Sequence, residues 1–168
     1  MNVFRILSVF FIMTFAFSAL SQAQEKTIPN PLIDSSQFQK DVIESQKLRE
    51  KRRVTENEFL SMALDENTII LDTRSAAKFK ELHIAGAKHL NFSDITKDTL
   101  AKVIANKNTR VLIYCNNNFG DEPKSFPTKI ASSALNLSTF TTLYSYGYKN
   151  IYELGPVLNV KTAKLKFR

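Results

Sequence analysis

Two uninterrupted apolar runs, "TIILD" at residues 68–72 and "RVLIYC" at residues 110–115, most constrain what this chain can fold into. Each is short, rich in β-branched residues and free of polar alternation, which is the pattern of a strand covered on both faces. Such strands belong to parallel sheets, whose crossover connections lay helices on either side. The segments between them supply those helices. Thr55 and Glu58 in "TENEFLSMA" have capping-box spacing, and Ser75 is placed to cap "SAAKFKEL". "DITKDTLAKVIA" carries Asp94 and Asp98 near its start, and "STFTTLYSYGY", beginning at Ser138, is stopped by Gly147. "KHLNF" at residues 88–92 and "NIYEL" at residues 150–154 read as shorter strands. This alternation predicts an α/β, doubly wound, mainly parallel sheet with helices on both faces over residues 53–160. Residues 24–52 read as a polar, partly helical extension, and residues 161–168 as a basic C-terminal tail.

The N-terminus obeys a different pattern. Arg5 is the one charge in residues 1–23, the fifteen residues from Ile6 to Leu20 are an apolar block, and Ser21 and Ala23 are small. That is the layout of a secretory signal peptide cleaved after Ala23. The block is shorter than the ~18–20 residues of a bilayer span, so no stable membrane span is expected after cleavage. A periplasmic or secreted protein beginning at Gln24 is expected. Cleavage would lower the formal charge from +7 to +6, still basic. The Lys and Arg residues are spread along the chain, and the one dense cluster, "KLREKRR" at residues 47–53, is broken by Glu50. It reads as a solvated helix face, and no nucleic-acid partner is expected.

An exported chain meets an oxidising compartment in which cysteines pair, yet this sequence holds a single cysteine, Cys115. Such a thiol is an inert core residue, an intermolecular disulfide partner, or a reactive group. Its position favours reactivity. Ligands of open parallel sheets bind beyond the carboxyl ends of the strands, and both Asp72 and Cys115 stand at such ends. The residues that follow, Asn116, Asn117, Asn118, Phe119 and Gly120, suit a loop whose backbone N–H groups curl around the sulfur, with Gly120 adopting a left-handed backbone. A cradle of that kind lowers a thiol's pKa without a base, so Cys115 is expected to titrate below the ~8.5 of a free cysteine. His83, His89 and Cys115 lack the close spacing of metal ligands; neither a metal nor a cofactor is expected.

Three segments in order resemble the rhodanese-like domain. "LDTRSAAKFKELHIAGAKHLN" is similar to that family's D-x-R, aromatic-bearing helix and H-I-x-G-A block. "VLIYC" resembles the strand ending on its catalytic cysteine, and "YGYKNIYELG" its G-Y-x-N-V-x-x-L-x-G ending. The resemblance runs over residues 54–157. It implies a five-stranded doubly wound domain in which Cys115 takes up a sulfane sulfur as a persulfide and passes it to a thiol or cyanide. It implies supporting roles for Asp72 and Arg74 at the neighbouring strand end, with a structural ion pair as the alternative, and a packing role for His83. Two departures stand out. Cys115 and Gly147 are 32 residues apart, farther than in single-domain relatives, which reads as an extended segment over residues 121–136. The usual Gly-Gly-Trp ending is replaced by "LGPVLNV".

The expected function is thus an exported sulfurtransferase with a small sulfur donor and a thiol or cyanide acceptor. The alternative is a non-catalytic binding or thiol-redox module that docks another exported protein. A cysteine phosphatase is disfavoured, because the arginine of C-x5-R is replaced by Asp121, whose charge repels phosphate. The extended segment is expected to wall the site, with Asp121 and Glu122 making that wall partly anionic against Lys124 and Lys129.

Overall fold

The computed structural model describes residues 28–168, so the cleavage site predicted at Ala23 lies outside the described residues. The chain divides into two units, Met1–Ile33 and Asp34–Arg168. In the described part of the first, Asn30 closes a turn by accepting the Ile33 N–H on its carbonyl and the Leu32 N–H on its side chain, at 3.1 and 3.0 Å.

In the second unit, strands β1 (Arg53–Val54), β2 (Thr68–Asp72), β3 (Lys88–His89), β4 (Arg110–Tyr114) and β5 (Ile151–Leu154) form one five-stranded sheet in the order β1-β5-β4-β2-β3. Every neighbouring pair is parallel. The helices are α1 (Ser35–Glu50), α2 (Glu56–Ala63), α3 (Ala76–Glu81), α4 (Lys97–Val103) and α5 (Leu135–Ser145). This is the doubly wound α/β architecture expected from the two apolar runs. Side chains alternate across the sheet with period two. Ile70, Leu112, Tyr114 and Leu154 share one core with Phe59 of α2, whereas Leu71, Val111, Ile113 and Ile151 share the other with Leu100 of α4 and Phe140 and Leu143 of α5. Burying side chains of this size stabilises by about 1.5–3 kcal/mol each.

Local chemistry sets most element starts. Thr55 and Glu58 form the expected capping box, and Ser75 accepts the Lys78 N–H. α4 starts at Lys97, later than the pattern suggested, because Thr96 and Thr99 form a second capping box. The strand expected over residues 88–92 ends at His89, since Phe92–Asp94 turns as a 3-10 helix. Among the described residues no helix is long and apolar enough to cross a membrane.

Two flanking segments complete this unit. α1, capped by Asp34, docks on α5 through a polar seam: Ser45 and Thr141 hydroxyls meet at 2.8 Å, and Ser145 donates to Asp41 at 2.6 Å. That seam carries β1 to the sheet edge, where Arg53 aligns with Glu153 of β5. At the other terminus Leu165 is buried, Ile84 and Phe167 form an antiparallel bridge, and Glu56 accepts the Lys164 and Leu165 N–H groups.

Candidate active site

β3 lies on one side of β2 and β4 on the other, so the winding reverses there and Asp72 and Cys115 come out on the same carboxyl edge. Cys115 leaves β4 in extended geometry and leads into a 3-10 turn, Asn116–Asn118. Asn118 ties this turn to its surroundings. Its Oδ1 accepts from the Cys115 N–H at 2.9 Å and from Asn136 Nδ2 at 3.2 Å, while its Nδ2 donates to the Leu154 and Pro156 carbonyls. Asn117 makes a two-way clasp with Lys129, donating to its carbonyl at 2.8 Å and accepting its N–H at 3.0 Å.

The backbone N–H groups of Asn136, Asn117 and Leu135 face the sulfur of Cys115 and favour its ionised form. The expected loop contributes Asn117 here, and the Asn118 N–H, at the third position of the turn, also turns to the Cys115 side chain. Phe119 turns into the core, pairing with Leu158 and packing on Phe126 at 4.4 Å between ring centroids. The Gly120 N–H donates to the Leu158 carbonyl, and among the described residues the glycines with positive φ are Gly86 and Gly147. The expected cradle over residues 116–120 is therefore narrowed: Phe119 and Gly120 give their N–H groups to the Asn116 and Leu158 carbonyls. Asn117 and Asn118 serve from the loop, and the first turn of α5 adds Leu135 and Asn136, whose N–H groups have no intrahelical partner. α5 starts at Leu135, three residues before the predicted Ser138, and has no side-chain N-cap. Sequence inspection missed its start because its N-cap residue, Ala134, offers no capping side chain, and its first N–H groups face the cysteine sulfur twenty residues upstream.

The expected acidification of the thiol is also corrected. Burial, at 1% exposure, pushes the Cys115 pKa up from its ordinary value; the N–H groups of Asn136, Asn117 and Leu135 offset this in part, and the Glu153 carboxylate adds to the rise. Removing a thiolate from water here outweighs three neutral N–H donors.

A cavity of about 190 Å3 opens over Cys115. Asn117, Ala131, Ala134 and Asn136 line part of it. Its three charged residues were not foreseen: Arg49 from α1, Arg53 from β1 and Glu153 from β5. Arg49 grips the Glu153 carboxylate with Nε and with Nη2, the latter at 2.6 Å, and Arg53 Nε stands 3.8 Å from the same group. The basic cluster at residues 47–53, read as a solvated helix face, thus places two guanidiniums at the site. No sequence motif marks them, because β1 and β5 meet only in the folded sheet. The anionic wall is corrected too: Asp121 accepts the Val160 N–H at 2.7 Å, and neither it nor Glu122, Lys124 or Lys129 lines the cavity.

Asp72 and Arg74 lie outside the cavity and form a buried ion pair. Arg74 holds both Asp72 oxygens and donates to the Leu82 and Ser125 carbonyls. Tyr114 donates to Asp72 and accepts the Ile84 N–H at 3.1 Å; burial, then the Asp72 charge, pushes the phenol far above its ordinary pKa. Through the Ser125 carbonyl and the Phe126 ring, Arg74 ties this cluster to the segment over residues 121–136. His83 donates to the Phe79 carbonyl and His89 to the Arg74 carbonyl, both away from the sulfur. Among the described residues no group of three or more His, Cys, Asp or Glu side chains could hold a metal ion.

The sequence pattern of the rhodanese-like domain matches residues 55–154, more than half of the chain. The chain belongs to the rhodanese-like domain family. Within this rhodanese-like chain, α1 and β1 precede the matched segment, so Arg49 and Arg53 reach the site from outside it. No curated protein matches the sequence. Similar solved structures include the BH2092 protein of Bacillus halodurans, 21% identical with a TM-score of 0.46, covering 68% of this chain and 72% of that one. The rhodanese-like domain of the Alr3790 protein from Anabaena is 23% identical with a TM-score of 0.46, covering 70% and 78%. The hp1203 protein of Helicobacter pylori is 19% identical with a TM-score of 0.45, covering 71% and 91%.

Proposed function

We propose that the protein is an exported sulfurtransferase that carries a sulfane sulfur as a persulfide on Cys115. The observation that carries this reading is the convergence of the Asn117, Leu135 and Asn136 N–H groups on a cysteine sulfur that faces a cavity at the carboxyl edge of the sheet. With thiosulfate as donor, the Cys115 thiolate attacks the outer sulfur, a new S–S bond forms, and the old S–S bond breaks with its electron pair leaving on sulfite. Cyanide or a small thiolate then attacks the terminal sulfur and regenerates the Cys115 thiolate. Oxidation levels balance between donor and acceptor, so no external oxidant is needed. The N–H groups that face the sulfur are placed to hold the negative charge at each stage. The cavity, about 190 Å3, suits a small donor, and Ala131, Ala134 and Asn136 give the segment over residues 121–136 a part in choosing it.

The test is intact-mass analysis of the purified chain after exposure to thiosulfate or a small persulfide. One sulfur atom should be gained on Cys115 and released as thiocyanate on adding cyanide. A Cys115→Ser variant that kept its turnover, or a wild type that took up no sulfur from either donor, would end the proposal. The high thiol pKa and near-complete burial of Cys115 support one other reading, a non-catalytic binding or thiol-redox module, which predicts no uptake at all. Export is tested separately, by N-terminal sequencing of the periplasmic or extracellular fraction; an intact Met1 there would refute cleavage after Ala23.

A further inference from the structure

We propose that Arg53 is a specificity-determining residue of the Cys115 cavity: its guanidinium anchors the negatively charged group of a reagent approaching the sulfur, while the Arg49–Glu153 pair beside it acts as a fixed strut. The charged side chains lining the cavity are Arg49, Arg53 and Glu153. Glu153 is 4% exposed at its side chain and gives both oxygens to Arg49, so these two groups are committed to each other. Arg53 differs. It spends Nη2 on the Gly155 carbonyl at 3.0 Å, its Nε stands 3.8 Å from Glu153, and half of its side chain remains exposed at 50%. Two guanidiniums and one carboxylate leave the cavity one positive charge in excess.

The mounting is rigid. Arg53 is held in the sheet by bonds on either side, from the Glu153 N–H to the Arg52 carbonyl and from the Gly155 N–H to the Val54 carbonyl, both 2.9 Å. The cavity, about 190 Å3, is lined by both Cys115 and Arg53, so an anion seated in it has the sulfur and the guanidinium among its walls. The natural ligand follows from the persulfide reading, but the anchoring itself does not require sulfur transfer.

The experiment therefore uses alkylation. Iodoacetate and iodoacetamide are near-isosteric and differ in charge, and each loses iodide as the Cys115 thiolate forms a C–S bond. The ratio of their second-order rates reports the field at the sulfur. In Arg53→Gln the iodoacetate-to-iodoacetamide ratio should fall about fivefold, the scale of one half-exposed ion pair. Arg53→Lys, which keeps the charge, should recover at least half of that fall, and Lys97→Gln, an equal charge loss on the exposed start of α4, should leave the ratio unchanged. An unchanged ratio in Arg53→Gln, a fall in Arg53→Lys to the glutamine level, or an equal fall in Lys97→Gln would overturn the assignment. A chain that shows the fall but transfers no sulfur would refute the persulfide reading and leave this one standing.

Discussion

Arg49→Ala removes the partner of a nearly buried carboxylate. The Glu153 side chain is 4% exposed and that of Arg49 17%. Breaking a fully buried pair by deleting one member costs about 3–5 kcal/mol, because the remaining charge stays desolvated. Two features of the site lower that figure. Arg49 is partly exposed, so its removal admits water, and Arg53 Nε lies 3.8 Å from Glu153 and can close on it. A cost of about 2–3 kcal/mol is the expected result. Urea unfolding of Arg49→Ala, Glu153→Gln and the double variant measures it, with the midpoint shift converted through a common slope. Because the amide in Glu153→Gln carries no charge, the double variant should be more stable than Arg49→Ala alone, with a coupling of at least ~1 kcal/mol. The same variants test the electrostatics of the sulfur. The Glu153 charge disfavours the thiolate, so Arg49→Ala should raise the midpoint of Cys115 alkylation against pH and Glu153→Gln should lower it. A loss below ~1 kcal/mol in Arg49→Ala, or strict additivity in the cycle, would refute the argument that the pair is structurally committed.

Because the Cys115 pKa is raised, the iodoacetamide rate at the thiol should climb about tenfold per pH unit through neutrality and keep rising beyond the ~8.5 of a free cysteine; a plateau below pH 8 would contradict the burial argument. Asn118→Ala strips partners from the Cys115 N–H and from the Leu154 and Pro156 carbonyls, and should cost about 2–4 kcal/mol in urea unfolding, against under ~0.5 kcal/mol if the turn holds itself. Tyr114→Phe leaves the Ile84 N–H without its acceptor and Asp72 without one donor, so a loss of about 1–3 kcal/mol in thermal or urea unfolding is expected, and a neutral result would show that neither group depends on the phenol.

Much of the scaffold was legible because its causes are local. Unbroken β-branched runs specify β2 and β4 wherever the chain places them, and Thr55 with Glu58 or Ser75 starts a helix through neighbours three residues away. The position of Cys115 at a strand end followed from the same run. The Asp72–Arg74 ion pair, whose members are two residues apart, is the alternative that stood beside the supporting role implied by the family resemblance. The environment of the sulfur is a different kind of property. α5 lacks the side-chain cap that announces a helix, since its first N–H groups face an atom twenty residues earlier in the chain. Arg49 and Glu153 are 104 residues apart and meet because α1 docks on α5 and β1 pairs with β5, contacts that leave no periodic or spacing signature. The direction of the Cys115 pKa depends on how much water the packed chain excludes from the thiol, set against how many N–H groups it turns inward. Burial is a sum over all neighbours in space, so the sequence by itself placed the sheet and set Cys115 at the end of a strand, and only the tertiary structure decided how far that thiol is buried, which N–H groups face it and which cations wall its cavity.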